Sequence, residues 1–113
     1  MDDCLFCKFV SGVLKTDIIY QDEDFIIFKD INPQAKNHFL AVPKKHFKYL
    51  AEMSDDDGAL LGRILKKISS LSGELGLKNG YRLVINQGDD AGQTVPHLHI
   101  HILSGQKMGW QPA

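Results

Sequence analysis

Residues 95–103 read Val-Pro-His-Leu-His-Ile-His-Ile-Leu, and this strict alternation restricts the fold more than any other stretch of the chain. A period of two is the mark of a β-strand with one buried face and one functional face. It puts His97, His99 and His101 on one side and Leu98, Ile100 and Ile102 on the other, toward a core. Same-face neighbours on a strand lie about 6.5–7 Å apart, so adjacent imidazoles can converge on one atom. The outer pair, about 13 Å apart at the backbone, hardly can. One metal held by all three is therefore disfavoured, and a row of imidazoles along an extended polar substrate fits better.

The rest of the chain supplies partners for such a strand. Asp3 is the expected N-cap of a short helix over residues 4–11, with Gly12 as its stop. Strands are expected at 18–21 and 25–29 around the acidic turn Asp22-Glu23-Asp24. The turn chemistry of Asp30-Ile31-Asn32-Pro33-Gln34 leads into a third strand at 38–42, closed by Pro43. Ser54 ahead of three aspartates sets up a capping pattern, with negative charge at the positive end of the longest helix. Leu60, Leu61, Ile64, Leu65, Ile68, Leu71 and Leu75 keep helical spacing, and Gly76 ends the run. That stripe reads as core or subunit contact. Residues 81–86 form a fourth strand, and the polar loop 87–94 delivers the chain to the histidines. About five strands, one long helix and one short one in a single domain over 1–113 predict an α+β fold. The sheet is expected to be antiparallel, with the helices packed on one face.

Composition narrows the function. The 113 residues are 43% hydrophobic and 24% charged, which suits a globular domain with a real core. A net charge of −1 gives no basic footprint, so nucleic acid is not an expected partner. No apolar run approaches the ~20 residues of a membrane span. Met1-Asp2-Asp3-Cys4 lacks the basic and apolar regions of a secretory signal. A cytoplasmic protein with Cys4 and Cys7 reduced is the resulting expectation.

Three imidazoles in line point to acid–base or nucleophilic work near neutral pH. An imidazole nitrogen can attack phosphorus and leave later, provided its other nitrogen holds the hydrogen against an acceptor. Gly88 and Gly92 let backbone N–H groups approach an anion, and Gln93 and Thr94 add donors. Phosphate-ester chemistry is favoured over acyl transfer, and neither a G-x-S-x-G nor a P-loop signature is present. Buried free cysteines are common, and Cys4-x-x-Cys7 lacks a thioredoxin-like βαβ context. With spare histidines available, however, two thiolates and two imidazoles make a tetrahedral zinc shell.

The run His97-Leu98-His99-Ile100-His101-Ile102-Leu103 resembles the motif of the histidine-triad superfamily. Asp30-Ile31-Asn32-Pro33-Gln34-Ala35, residues 38–46, 80–86 and 92–95, and the tail 104–110 with Trp110 are similar to its Hint branch, in order along nearly the whole chain. The resemblance implies a homodimeric hydrolase that cleaves the P–N bond of purine nucleoside phosphoramidates, including aminoacyl-adenylate-type substrates. AMP and adenosine phosphoramidates are the implied ligands, with GMP as a further candidate. It makes His99 the nucleophile, with His101 contacting the phosphate and aiding the leaving group alongside Thr94, Gln93 and Asn86. Asp30 matches the ribose-binding position, and Phe6, Phe28, Ile31 and Leu40 match the lining of the base pocket. Gly92 belongs to the same nucleotide-binding set. A structural zinc on Cys4, Cys7, His38 and His97 is also implied. Thr94 stands where Hint proteins more often carry Ser, and Pro96 where animal members have an aromatic residue. Gln93-Thr94-Val95 also occurs in the dinucleoside polyphosphate hydrolase branch, which is the alternative activity. A purine-nucleotide-binding regulatory or adaptor module is the non-enzymatic one.

Overall fold

In the computed structural model, which describes residues 4–109, the end of the histidine run lies inside a five-stranded antiparallel sheet. The elements in chain order are α1 (Leu5–Ser11), β1 (Ile18–Gln21), β2 (Phe25–Lys29), β3 (Asn37–Pro43), α2 (Asp55–Ser70), β4 (Arg82–Val84) and β5 (Ile100–Ser104). Strand order is β1-β2-β3-β5-β4, so β5 enters between β3 and the edge strand β4. This is the α+β architecture expected from the sequence. Asp3 and Trp110 lie outside the described residues; Cys4 is the N-cap of α1 and accepts the Cys7 N–H on its sulfur.

Side-chain parity divides the molecule into two layers. Phe25 and Ile27 of β2, Ala41 of β3, and Ile100 and Ile102 of β5 pack with Leu60, Ile64 and Ile68 of α2. Ile26 and Phe28 of β2, and Leu40 and Val42 of β3, pack instead with Cys4 and Phe6 at α1. The helices therefore cover opposite faces of the sheet, whereas one shared face was expected. The reason is in β2 and β3: both are apolar at successive positions, as strands buried on two sides must be.

Several boundaries also move: β3 gains a residue at each end, and β4 keeps only Arg82–Val84 of the expected 81–86. The regular strand begins at Ile100 and not at Val95, because Pro96 has no N–H and the His97 N–H turns back onto the Val95 carbonyl at 2.8 Å. The long helix ends at Ser70, with turns running through the serine- and glycine-containing stretch 71–76 before Gly76. At its other end Ser54 and Asp57 form a reciprocal capping box, and Lys45 Nζ lies 2.5 Å from the Asp57 carboxylate. Among the described residues no helix is long and apolar enough to cross a membrane.

Ile64 is fully buried against the sheet, while Leu65 beside it is only half-buried. Ile64→Ala is expected to destabilise the fold by about 2–5 kcal/mol through lost burial and the cavity left behind. Leu65→Ala should cost clearly less. Urea midpoints at constant m-value check the ranking, and equal losses at the two positions would contradict the layer assignment.

Candidate active site and metal cluster

The three triad histidines lie on the α1 side of the sheet, opposite Leu98, Ile100 and Ile102. They do not form a uniform row. His97 turns toward the cysteines, while His99 and His101 line a cavity of about 210 Å³ together with Gln34, His38, Asn86, Gly92 and Thr94.

At His99 the tautomer follows from one contact. Its Nδ1 lies 2.8 Å from the His97 carbonyl oxygen, which can only accept, so Nδ1 carries the hydrogen and Nε2 keeps its lone pair. The ring packs edge-on against Phe6, with centroids 5.0 Å apart. Burial holds His99 below the usual imidazole range, against the opposing pull of that carbonyl hydrogen bond and of Asp30.

At His101 the assignment passes through a neighbour. The Gln34 N–H donates to His38 Nδ1 at 2.9 Å, so neutral His38 carries its hydrogen on Nε2. That Nε2 lies 2.8 Å from His101 Nδ1, which must then accept, leaving His101 with an Nε2–H donor. Burial, reinforced by repulsion from His99 and His38, pushes His101 down to about 4. Burial also lowers His38, partly countered by Asp30, whose Oδ2 sits 3.5 Å from His38 Nε2. Gln34, His38 and His101 thus form a hydrogen-bonded chain of defined polarity, with the Asp30 carboxylate beside it.

His38 was expected as a zinc ligand, and the structure corrects this. The β3–β5 register pairs His38 with Leu103 and Ala41 with Ile100, so the position facing His97 would be 44. His46, just beyond the end of β3, is the histidine that reaches the cluster, with Nδ1 3.1 Å from Cys7 Sγ and 3.2 Å from His97 Nδ1. Cys4 Sγ lies 3.3 Å from the same His97 nitrogen, and all four donor atoms fall within 4.8 Å of one another. Tetrahedral zinc with bonds of about 2.0–2.1 Å to nitrogen and about 2.3 Å to sulfur spaces its ligands roughly 3.3–3.8 Å apart, so the donor set fits such a centre. His97 Nε2 donates to the Pro43 carbonyl at 2.8 Å, which leaves Nδ1 unprotonated and aimed at the sulfurs. Burial pushes the Cys7 thiol up to about 11 and His97 down to about 4, so both are uncharged without a cation, which would reverse the preference of the thiol.

The remaining expected positions divide. Asn86, Gly92 and Thr94 line the cavity, and Phe6, Phe28 and Leu40 form an apolar cluster beside His99. Gln93 ties its own loop to the segment after β3: its Oε1 accepts the Gly88 N–H, and its Nε2 donates to the Lys48 carbonyl. Ile31 is 88% exposed and belongs to neither core cluster. Asp30 Oδ1 accepts the Asn32 N–H at 2.7 Å. Sequence reasoning missed Gln34 and the chain role of His38, as well as His46. Their signal is the strand register, which only the paired structure supplies.

A family model, the HIT domain, matches residues 11–108. An uncharacterised HIT-like protein of Synechocystis is 42% identical over 111 residues, covering 98% of this chain and 97% of its own. The solved HIT family hydrolase of Legionella pneumophila superposes with a TM-score of 0.92 at 41% identity, covering 98% of this chain and all of that one. A histidine triad nucleotide-binding protein of Candida albicans gives a TM-score of 0.80 at 30% identity, covering 98% and 85%.

The depressed His101 has a consequence for stability. Its folded value near 4 lies below the ordinary 6.5, so the unfolded chain takes up a proton first as pH falls. The contribution is fully present above pH 6.5 and is lost between 6.5 and about 4. His101→Asn should remove up to one proton from the uptake on unfolding in that window, flattening the stability–pH slope by up to about 1.4 kcal/mol per pH unit. Denaturant melts across the window measure it; identical slopes would refute the assignment.

Proposed function

The chain belongs to the HIT domain family, and on that premise we propose that it is a purine nucleoside phosphoramidase of the Hint type, working through a nucleotidyl–His99 intermediate. The observation that carries this reading is the 2.8 Å contact between His99 Nδ1 and the His97 carbonyl, which leaves a neutral ring with a free Nε2 on the cavity wall. A substrate nitrogen that enters protonated leaves as a neutral amine when Nε2 attacks phosphorus. The positive charge that develops on the His99 ring is met by the carbonyl at Nδ1. Water then attacks phosphorus, the P–Nε2 bond pair returns to the ring nitrogen, and the proton that water gives up passes to the departed amine or to solvent.

In this scheme His101 binds rather than titrates. Its Nε2–H is a neutral donor suited to a phosphoryl oxygen, held in that tautomer by His38. The hydroxyl of Thr94 and the backbone at Gly92 stand at the same cavity. Phe6, Phe28 and Leu40 are assigned to the purine as the apolar cluster beside His99, and Asp30, 3.5 Å from His38 Nε2, to the ribose hydroxyls. Zinc on Cys4, Cys7, His46 and His97 is part of the proposal; when bound it supplies charge to hold two thiolates and ties α1 to the sheet. A cytoplasmic homodimer, joined through α2 and the edge strand β4, completes it. Half-buried Leu61, Leu65, Leu83 and Ile85 support that contact.

Turnover of adenosine 5′-phosphoramidate should fall on the order of 10³-fold or more in His99→Ala, with AMP binding retained. Equal turnover in the two proteins would sink the enzymatic reading. A panel including GMP phosphoramidate and dinucleoside polyphosphates ranks the substrates, and faster cleavage of the polyphosphates would favour the alternative hydrolase. Elemental analysis of protein purified without chelator should find one zinc per chain.

A further inference from the structure

His97 belongs to both the metal cluster and the nucleophile's hydrogen bond. Its ring is gripped at both nitrogens, by the Pro43 carbonyl at Nε2 and by the Cys4, Cys7 and His46 donors at Nδ1. Its carbonyl accepts the His99 Nδ1–H. The peptide that carries this carbonyl precedes the β5 ladder, so strand pairing does not set its direction. The other edge of the same peptide is held by a 2.7 Å hydrogen bond from the Leu98 N–H to the Phe47 carbonyl. Phe47 directly follows His46. Both restraints on the 97–98 peptide therefore lead to the cluster, one through the His97 ring and one through the His46–Phe47 main chain.

A third link runs through α1. Cys4 caps this seven-residue helix and Cys7 sits in its first turn, with Phe6 between them. The Phe6 ring lies edge-on to both His99 and His97, with centroids 5.0 and 6.0 Å away. A helix of this length has little stability of its own, so what fixes Cys4 and Cys7 fixes the wall against His99.

We infer that the metal cluster is the positioning device of the nucleophile. Cys4, Cys7, His46 and His97 are positioning residues that set the 97–98 peptide, and with it the tautomer and orientation of His99. They also hold Phe6, a residue assigned to the purine, against His99. Metal occupancy then governs both nucleotide affinity and the chemical step, while the α2 core on the other face stands apart from it.

The test compares zinc-loaded protein, protein stripped with a chelator, and His46→Ala and His46→Cys. His46 is suited to this because it touches the cluster but does not line the cavity. The longer zinc–sulfur bond, about 2.3 Å, offsets much of the shorter reach of a cysteine there. Long-range proton–nitrogen spectra of the His99 imidazole should show a single Nδ1–H tautomer when loaded and a mixture when stripped. AMP affinity should fall about tenfold and kcat about 10–100-fold, with the far-ultraviolet circular dichroism unchanged. His46→Ala should reproduce the stripped state, and His46→Cys should restore zinc, tautomer and affinity together. A stripped, folded protein that keeps the His99 signature and its AMP affinity within twofold overturns the inference.

If stripping unfolds the chain, exchange of zinc for the larger cadmium ion decides. Coupling requires a shifted His99 spectrum, and an unchanged one overturns it. The turnover arm rests on the proposed phosphoramidase activity, but the spectral and AMP arms do not. Loaded protein that binds AMP without cleaving phosphoramidates would defeat that activity and leave the positioning role to be judged by the spectra.

Discussion

The antiparallel pairing of β3 with β5 is the constraint on which the site depends. It sets His38 diagonally beside His101 at one end of the sheet and brings the far end of β3, with Pro43 and then His46, to His97 at the other. A one-residue slip would turn His101 into the α2 core, because side-chain direction alternates at each position of the ladder. Apolar residues on the opposite face, led by Ile100 and Ile102, make such a slip costly. Hydrophobic packing on one side of the sheet thereby fixes chemistry on the other.

Burial does the electrostatic work. Five histidines gathered on one side of a small protein would repel if charged, and burial lowers His38, His46, His97, His99 and His101 alike. Each neutral ring has one donor and one acceptor, so the neighbouring groups decide which nitrogen does which. The Pro43 carbonyl, the His97 carbonyl and the Gln34 N–H make three of those choices, all from the main chain. Main-chain partners set the tautomers without adding charge to the site.

How much of this was legible in the sequence depended on range. Period-two alternation located the triad and its buried face, helical spacing located α2, and Ser54 with Asp57 located its start. Cys4-x-x-Cys7 flagged thiol donors at the first turn of a helix. The fourth donor was misassigned to His38 because spacing along the chain says nothing about which end of one strand meets which end of another. His46 follows two lysines in a connection, with no periodicity to mark it. The placement of helices on both faces failed for a similar reason. Continuous apolar runs at 25–28 and 39–42 do signal two-sided burial, but the short helix was too small to claim a face from pattern alone.

The cluster joins Cys4 and Cys7 to His97, 93 and 90 positions away. Closing so long a loop carries a large entropic cost, and contacts of that separation form slowly and late. During synthesis the two cysteines emerge 93 and 90 residues ahead of His97. Until His97 is made the thiols have only His46 of their two histidine partners, while the β1–β2–β3 meander already has its local contacts. The full donor set and the peptide that orients His99 would accordingly arrive together, and a chain interrupted before residue 97 would hold only the β1–β2–β3 part of the sheet, without β5 and so without the strand that β4 pairs with.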